Sequence, residues 1–218
     1  MIKAVIFDMD GVIVNSEPLH KKAYAEMFNT VGINVSSQLY ESFTGQSTYN
    51  ICKTLCSKFD LQNTPQELVN LKRQYFKYIF ENDKDLDLID GVHNIIKDYY
   101  KNGLTLVLAS SASMTTINNV FNRFDLDKYF KDKLSGADLK ASKPHPEIFI
   151  NAAKSSGYNR NECIVIEDST NGIKAANSAD IYCIGYKSEH SKNQDYSTAN
   201  KVVTSFEDIT FDKIKSII

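Results

Sequence analysis

Arginine is scarce in this sequence. Of the 25 lysine and arginine residues only three are arginine, at positions 73, 123 and 160. Because the guanidinium group is the side chain that grips a carboxylate or phosphate with two parallel hydrogen bonds, such grips must be few here. A dense run of basic residues is also missing, and the formal net charge is −2. These absences argue against nucleic acid or a membrane surface as a partner.

Long apolar segments are missing as well. The apolar run at the amino terminus is too short, and reaches Asp8 too soon, to be a signal peptide or a membrane anchor. With 218 residues, 42% of them hydrophobic and 24% charged, the chain has the composition of a folded globular protein with room for one domain and an insertion. We therefore expect a cytoplasmic protein, and a monomer.

Cysteine is rare, and its spacing suggests no disulfide framework. Two cysteines lie four residues apart in a helix-like segment and two lie in strand-like runs: Cys52, Cys56, Cys163 and Cys183. This pattern fits neither a secreted disulfide scaffold nor paired zinc ligands. It favours reduced, packed thiols over a metal or redox site.

Short apolar runs alternate with helical patterns over most of the sequence. The strand-like runs are Ala4–Phe7, Leu104–Ala109, Cys163–Ile166, Ile181–Tyr186 and Lys201–Val203. Helical periodicity is found at Val92–Lys101, Met114–Arg123, Pro146–Ser156, Gly172–Ser178 and Phe206–Ile217. This alternation predicts an α/β fold with a Rossmann-like parallel sheet.

A long interval separates the first two predicted strands. It spans about a hundred residues, far more than an ordinary connection, and carries helical patterns throughout. An apolar stripe at residues 19, 23, 27 and 31 predicts one helix, Tyr49–Phe59 and Gln66–Phe80 predict two more, and residues 81–87 form an acidic return linker. We therefore predict a helical cap domain at residues 15–86, inserted into a catalytic core made of residues 1–14 and 87–218.

Acid pairs follow two of the predicted strands. Asp8 and Asp10 come directly after the first, beside Gly11, and Glu167 and Asp168 close the third. Because the carboxyl ends of parallel strands share one edge of the sheet, the four carboxylates should converge there. Such a cluster predicts either a divalent cation or an acid–base and nucleophile pair. Taken alone, Asp8 and Asp10 are more typical of a solvated turn, and Glu167 and Asp168 of a helix cap.

A serine and a lysine belong to the same predicted edge. Ser110 ends the second strand, and Ser111 follows it into a helix, so that hydroxyls and helix-start amides can form an anion site. Lys143 precedes Pro144 on a loop that prolines stiffen, where it would add a fixed positive charge. Taken singly, the serines are better explained by helix capping, and the lysine by a solvated surface role.

Taken together, these motifs resemble the haloacid dehalogenase superfamily. The resemblance rests on Phe7-Asp8-Met9-Asp10-Gly11-Val12, on Ser110, on Lys143-Pro144, and on the run from Val165 to Gly172. The longer string from Asp8 to His20 is similar to the β-phosphoglucomutase-like branch, whose helical cap is inserted after the first strand. The motifs cover the chain from residue 7 to residue 172 in the family's order.

The resemblance implies a role for each motif residue. Asp8 would be the nucleophile that forms an aspartyl-phosphate, and Asp10 the general acid and base. Ser110, Ser111 and Lys143 would hold the phosphoryl group. The implied cofactor is Mg²⁺, bound by Asp8, the backbone carbonyl of Asp10, and Asp168, with Glu167 close by.

The resemblance also implies substrate contacts from the cap. The matching positions are His20, Lys77 and the loop residues Thr44, Gly45, Gln46 and Thr48. True mutases carry a lysine where this chain has Thr44 and an arginine where it has Thr48, and that arginine grips the second phosphate of a bisphosphate intermediate. His20 and Lys77 also have ordinary solvated interpretations.

These departures favour hydrolysis over phosphoryl transfer within the substrate. We predict a Mg²⁺-dependent phosphatase for a small phosphorylated metabolite, such as a sugar phosphate. The alternatives are a phosphomutase of the β-phosphoglucomutase type, a pyrophosphatase, and a catalytically silent phosphate-binding module.

Overall fold

The computed structural model describes residues 1–43, 46–137, 139–188, 191, 193–215 and 217. The chain divides into two compact units. The first, called the sheet unit below, consists of Met1–Asn15 and Asp87–Ile218, and the second, called the helical unit, consists of Ser16–Leu86.

A parallel sheet of six strands forms the centre of the sheet unit. The strands are β1 (Ala4–Phe7), β2 (Thr105–Ser110), β3 (Phe130–Ser135), β4 (Cys163–Glu167), β5 (Tyr182–Tyr186) and β6 (Lys201–Val203). Their order across the sheet is β3-β2-β1-β4-β5-β6. Every neighbouring pair is parallel, and the predicted α/β fold class is confirmed.

Strand β1 lies between β2 and β4, and all four of its residues are buried. Phe7 is in register with Leu108 on one side and Ile166 on the other. Asp8, Ser110 and Glu167 therefore reach the same edge of the sheet, which we call the carboxyl edge. Alternate β1 side chains face opposite ways, because successive Cβ atoms in a strand point to opposite faces.

Helices cover both faces of this sheet. On one face Ala4 and Ile6 share a buried apolar cluster with residues of α7 (Glu147–Ser156) and α8 (Thr170–Ser178). On the other face the Phe7 ring lies 6.2 Å from the ring of Tyr99, in α5 (Val92–Lys101). A further helix, α6 (Met114–Phe124), follows β2. These four helices lie within two residues of their predicted bounds.

Two predictions for the sheet unit need correction. No strand was predicted at β3, whose sequence FKDKLS carries three charged residues and lies at the sheet's edge. The predicted final helix, Phe206–Ile217, is wrong: a 3-10 turn at Phe206–Ile209 is followed by a four-residue helix, α9 (Phe211–Ile214). Thr210 separates them because its backbone is extended, with ψ at 158°.

In the described part of the helical unit, residues 16–43 and 46–86, four helices pack around their own core. They are α1 (Glu17–Thr30), α2 (Ser37–Glu41), α3 (Thr48–Phe59) and α4 (Pro65–Asn82). Leu55 and Leu68 are fully buried in a cluster that α1, α3 and α4 share. A capping box between Thr64 and Glu67 starts α4 and satisfies amides of its first turn. The short α2 was not predicted, and Val31 lies just beyond α1.

The cysteines agree with the sequence prediction. All four thiols are free, and Cys52, Cys163 and Cys183 are buried. Burial also raises the pKa of the Cys52 thiol to about 12, so it stays protonated and unreactive at neutral pH. Among the residues that the structure describes, no helix is long and apolar enough to cross a membrane.

Candidate active site

Asp8 occupies the centre of the carboxyl edge. Its amide donates a hydrogen bond of 3.0 Å to the carbonyl of Ile166, which continues the β1–β4 ladder by one residue. The turn that follows is closed by the Met9 carbonyl, which accepts the amides of Ile13 and Val14 at 2.8 and 3.1 Å. Asp8 is only 6% exposed. Its carboxylate is therefore fixed at the end of the central strand.

Gly11 gives this turn its shape. Its φ of +81° lies in the left-handed region that favours glycine. A Cβ atom built there would lie 2.0 Å from Oδ2 of Asp168, the residue that follows β4. The turn after β1 and the acid after β4 are thus in direct contact, and only a residue without a side chain leaves room for it.

Lys143 joins the acids from two strands. Its Nζ donates to Oδ1 of Asp8 at 2.6 Å, to Oε1 of Glu167 at 2.9 Å and to the carbonyl of Ala109 at 3.1 Å. The same Nζ lies 4.6 Å from the ring centroid of Phe149. The side chain is 7% exposed. A loop far along the sequence thus places a buried positive charge at the end of β1.

Glu167 is held on its other oxygen by the start of α8. Its Oε2 accepts the Ser169 amide at 2.7 Å and the Ser169 hydroxyl at 2.9 Å. A Cβ atom at Gly172 would lie 1.6 Å from Oε1, so a side chain at this helix position would displace the carboxylate. Glu167 therefore has a fixed orientation, in which it supports Lys143.

Burial and crowding shift the pKa values of these groups. Burial, with smaller contributions from Glu167 and Asp10, raises the pKa of Asp8 to about 7 against the opposing effect of Lys143. The pKa of Asp168 is raised well above its usual range by burial and by the charges of Glu167 and Asp8. Burial acts to lower the pKa of Lys143, but Asp8 and Glu167 outweigh it and raise that pKa. One ammonium does not neutralise three carboxylates, and the cluster favours a further cation.

The oxygen ligands of this cluster fit the type of Mg²⁺ site in which an enzyme binds the ion together with a phosphate. No three histidine, cysteine, aspartate or glutamate side chains form a ready metal cage among the described residues. Mg²⁺ commonly uses one or two carboxylates, with water and phosphate oxygens as its remaining ligands. Asp8 and Asp168 would supply the carboxylates and the Asp10 carbonyl a backbone oxygen.

Ser110 lies beside this cluster at the end of β2. It is fully buried, and its hydroxyl accepts the Ala112 amide at 3.0 Å. A hydroxyl that accepts one hydrogen bond keeps its own hydrogen for donation to another acceptor. Helix α6 is capped instead by Ser113, whose hydroxyl accepts the Thr116 amide at 3.3 Å. Ser111 is exposed.

In the helical unit, two of the predicted substrate residues, Thr44 and Gly45, lie outside the described residues. Gln46 is exposed, and its side-chain amide donates to the Ser42 carbonyl at 2.9 Å. Thr48 begins α3 and hydrogen-bonds to the Tyr24 hydroxyl. These contacts lie within the helical unit.

His20 has a lysine neighbour that its sequence position does not predict. Its Nδ1 lies 2.7 Å from Nζ of Lys72, and its ring stacks on Phe76 at 4.3 Å. Lys72 is only 5% exposed, and its Nζ lies 5.1 Å from the Tyr24 ring centroid. The predicted Lys77 is 64% exposed and forms an i,i+4 pair with Glu81. The lysine beside His20 is therefore Lys72, which was not among the predicted cap residues.

A sequence signal for Lys72 was present. Leu68, Lys72, Phe76 and Phe80 follow one another at four-residue spacing along α4, so the lysine interrupts an apolar row. A charged residue in such a row is buried with partners of its own.

Comparisons with known proteins identify the class. Residues 5–186 match the haloacid dehalogenase-like hydrolase family, and the chain belongs to this family. It is similar to hexitol phosphatase B of Escherichia coli O157:H7, with 27% identity over 210 residues, 96% of this chain and 95% of that protein. It is also similar to the chloroplastic protein SUPPRESSOR OF QUENCHING 1 of Arabidopsis thaliana, with 30% identity over 190 residues, 85% of this chain but 18% of that protein.

A solved structure gives a likeness of similar strength. The chain is 29% identical to a β-phosphoglucomutase from Clostridium difficile, with a TM-score of 0.83 over 99% of this chain and 96% of that one. The predicted resemblance to the β-phosphoglucomutase-like branch is confirmed. So is the predicted enzyme class, a phosphoric monoester hydrolase of this family.

Proposed function

We propose that this chain is a Mg²⁺-dependent phosphatase that hydrolyses a small sugar phosphate through an aspartyl-phosphate. The observation that carries the proposal is the buried contact of 2.6 Å between Lys143 Nζ and Asp8 Oδ1 at the carboxyl edge. Phosphoryl transfer needs an in-line nucleophile and positive charge near the equatorial oxygens. Asp8 and Lys143 supply these two parts from one end of the central strand.

In the first step, an Asp8 carboxylate oxygen attacks phosphorus, and the bond from phosphorus to the sugar oxygen breaks. Asp10 donates a proton to the departing oxygen, so the product leaves as an alcohol. Lys143 and the Ser110 hydroxyl bind phosphoryl oxygens. The phosphoryl group is then an acyl phosphate on Asp8.

In the second step, water attacks phosphorus and Asp10 takes the proton of that water. The bond between phosphorus and the Asp8 oxygen breaks, which releases inorganic phosphate and restores both carboxyl groups. Asp10 thus ends the cycle in the protonation state in which it began. When bound, Mg²⁺ supplies positive charge that offsets the crowded carboxylates and the phosphate.

A sugar phosphate is the favoured substrate class. The relative matched along nearly its whole length is named hexitol phosphatase B. The scarcity of arginine, with only three in the chain, favours a substrate with one phosphate over a bisphosphate. We propose that the helical unit selects the sugar part, as a cap domain at residues 15–86 would.

A phosphomutase is the second candidate, because of the β-phosphoglucomutase likeness and the contact between His20 and Lys72. A mutase must keep its bisphosphate intermediate bound while that intermediate reorients in the site, which requires a second cationic group to bind the other phosphate. Lys72 is a cation in the helical unit, but its ammonium is buried against His20 and aromatic rings. The phosphatase remains the better supported of the two.

One assay distinguishes the two candidates. The enzyme is given β-glucose 1-phosphate with Mg²⁺ and a trace of glucose 1,6-bisphosphate, and glucose 6-phosphate and free phosphate are followed together. A parallel panel of hexose and hexitol phosphates identifies the preferred substrate by phosphate release. We expect free phosphate as the main product, and no turnover after chelation with EDTA. Rapid formation of glucose 6-phosphate with little free phosphate would establish the mutase.

A further inference from the structure

A loop beyond β5 contacts the residues that directly follow β4. We call this loop the strap, and it consists of Ser191 and residues 193–196. The Ser191 hydroxyl donates to Oδ2 of Asp168, and the Tyr196 hydroxyl donates to the Asp168 carbonyl at 2.8 Å. The next two hydrogen bonds hold Thr170: its amide donates to Oε1 of Gln194 at 2.8 Å, and its hydroxyl accepts the Asp195 amide at 2.7 Å.

The strap is itself anchored on the sheet unit. The Tyr196 ring packs over Gly185 of β5, where a built Cβ atom would lie 3.0 Å from the ring. Gly185 is in register with Glu167. Just after the strap, the Thr198 carbonyl accepts the Asn177 side-chain amide at 2.8 Å. The strap therefore connects Asp168 to two elements that do not carry it, β5 and α8.

Asp168 requires such support because of its charged neighbours. Burial, and the charges of Glu167 and Asp8 acting on its carboxylate, raise its pKa, and Gly11 leaves room for it against the turn after β1. Like charges repel, so a freely rotating carboxylate would turn away from this cluster. Hydrogen bonds to its side chain and to its own carbonyl fix both the carboxylate and the backbone that carries it.

We infer that Ser191 and Tyr196, supported by Gln194, are positioning residues that hold the Asp168 carboxylate toward Asp8 for Mg²⁺ binding. The inference rests on the proposed Mg²⁺ role of Asp168. These residues lie beyond the region that matches the family, which ends at residue 186. Outer partners of metal ligands typically change metal affinity by about 10- to 100-fold when they are removed.

The test measures Mg²⁺ binding to the full chain without substrate, by isothermal titration calorimetry. Tyr196→Phe keeps the ring on Gly185 and removes the hydrogen bond to the Asp168 carbonyl, while Ser191→Ala removes the bond to the carboxylate. We expect the Mg²⁺ dissociation constant to rise about 10-fold or more in each variant. Phosphatase turnover in these two variants should fall at low Mg²⁺ concentration and recover largely when the Mg²⁺ concentration is raised. Tyr182→Phe, at the opposite end of β5, is the matched control and should bind Mg²⁺ as the wild type does.

Asp168→Asn separates failure of the inference from failure of the proposed metal site. If Asp168→Asn loses Mg²⁺ binding while both strap variants keep the wild-type affinity, the strap only packs the fold, and the inference is wrong. If Asp168→Asn binds Mg²⁺ as the wild type does, Asp168 is not a ligand. The proposed metal role of Asp168 and the inference about the strap then both fail. A lowered melting temperature with unchanged Mg²⁺ affinity in the strap variants also counts against the inference.

Discussion

The two aspartates after β1 have different environments, and the proposed mechanism gives them different functions. Asp8 is buried and paired with Lys143, while Asp10 lies in a partly exposed turn. A buried, fixed carboxylate suits a nucleophile, and a carboxyl group with access to water suits an acid and base. In the proposed mechanism, this one turn would therefore carry both reactive groups, two residues apart.

Replacing Asp10 should impair catalysis without removing the nucleophile. We expect Asp10→Asn to lower kcat by about 10²- to 10⁴-fold, the contribution that a positioned acid or base usually makes, and Asp8→Ala to leave no turnover. Steady-state kinetics with a sugar phosphate and Mg²⁺ provide the measurement. Asp132→Asn, an exposed acid on β3, is the control and should retain the wild-type rate. A wild-type kcat in either active-site variant would exclude the assignment.

Lys143 should matter for stability as well as for phosphate binding. Lys143→Met leaves Asp8 and Glu167, whose side chains are 9% and 2% exposed, without their shared ammonium. Losing one partner of a buried ion pair typically costs about 3–5 kcal/mol. Urea denaturation at pH 7.5 without Mg²⁺ should show a loss of this size in the free energy of unfolding.

Lys77→Met is the matched control for that measurement. It removes an exposed lysine whose Nζ lies 3.9 Å from Glu81 on the same helix. Such pairs contribute about 0.2–0.5 kcal/mol. Equal losses in the two variants would show that the buried contacts of Lys143 contribute nothing beyond those of a surface charge.

At the scale of elements, an ion pair joins the residues that immediately precede two neighbouring strands, β1 and β4. Lys3, before β1, pairs with Glu162, before β4, at 2.7 Å, and its amide donates to the Glu162 carbonyl at 2.8 Å. Glu162 also accepts the Asn159 amide at 3.0 Å. The hydrogen bond from Lys3 makes the largest contribution, and that from the Asn159 amide the next largest, to lowering the pKa of Glu162 to about 2.

This pairing predicts how stability depends on pH. A carboxyl group with a lowered pKa in the folded state stabilises the fold above its unfolded pKa and loses that effect as the pH falls through the folded pKa. The stability difference between wild type and Glu162→Gln should therefore be constant from pH 6 to 8 and shrink from about pH 4.5 to pH 2. Urea denaturation across this range is the test, and Lys3→Met should reproduce part of the loss. A difference that does not change with pH would contradict the pairing.

Elements with strong apolar patterns could be predicted from the sequence, and the others could not. Strand β1 and helix α5 have the predicted bounds, because β1 is a short, continuously buried apolar run and α5 buries apolar residues at helical spacing. Strand β3 could not be predicted in this way: it has only one buried neighbour strand, and alternating lysine and aspartate conceal it. The predicted last helix failed because one extended residue, Thr210, divides an apolar pattern that looks continuous.

The same contrast applies to the candidate site. Asp8 and Glu167 were predicted because each lies at the end of a recognisable strand, and Lys143 because it precedes Pro144 on a stiffened loop in the family's motif order. The structure brings the three side chains into contact. The strap could not be predicted, since Ser191 and Tyr196 carry no periodic pattern and reach Asp168 only through tertiary structure. Their contribution depends on the path of a loop, which local sequence does not determine.

At the scale of the whole molecule, the two units have separate cores. The core of the helical unit includes Leu55, which is fully buried, and the core of the sheet unit includes Ile6 and Phe149. A cavity in one core should therefore affect mainly the elements that line it.

Leu55→Ala tests this separation. The substitution should destabilise the helical unit by about 2–5 kcal/mol, the usual cost of such a core cavity. Hydrogen exchange followed by mass spectrometry should show faster exchange in α1, α3 and α4, with unchanged protection in β1, β2 and β4. Mg²⁺ affinity should stay at the wild-type value. Uniformly faster exchange across β1 and β4 would show instead that the chain unfolds as one cooperative unit.

The central position of β1 also has a consequence for biosynthesis. β1 is synthesised before both strands that flank it, and 97 residues lie between its last residue, Phe7, and the first residue of β2, Thr105. At roughly 5–20 residues per second, the ribosome takes about 5–20 s to deliver β2, and longer to deliver β4. The helical unit emerges complete during this interval and can fold while the strand that precedes Asp8 is still unpaired. A nascent chain stalled after residue 100 should thus expose an apolar Ala-Val-Ile-Phe segment to chaperones, although the finished enzyme buries it completely.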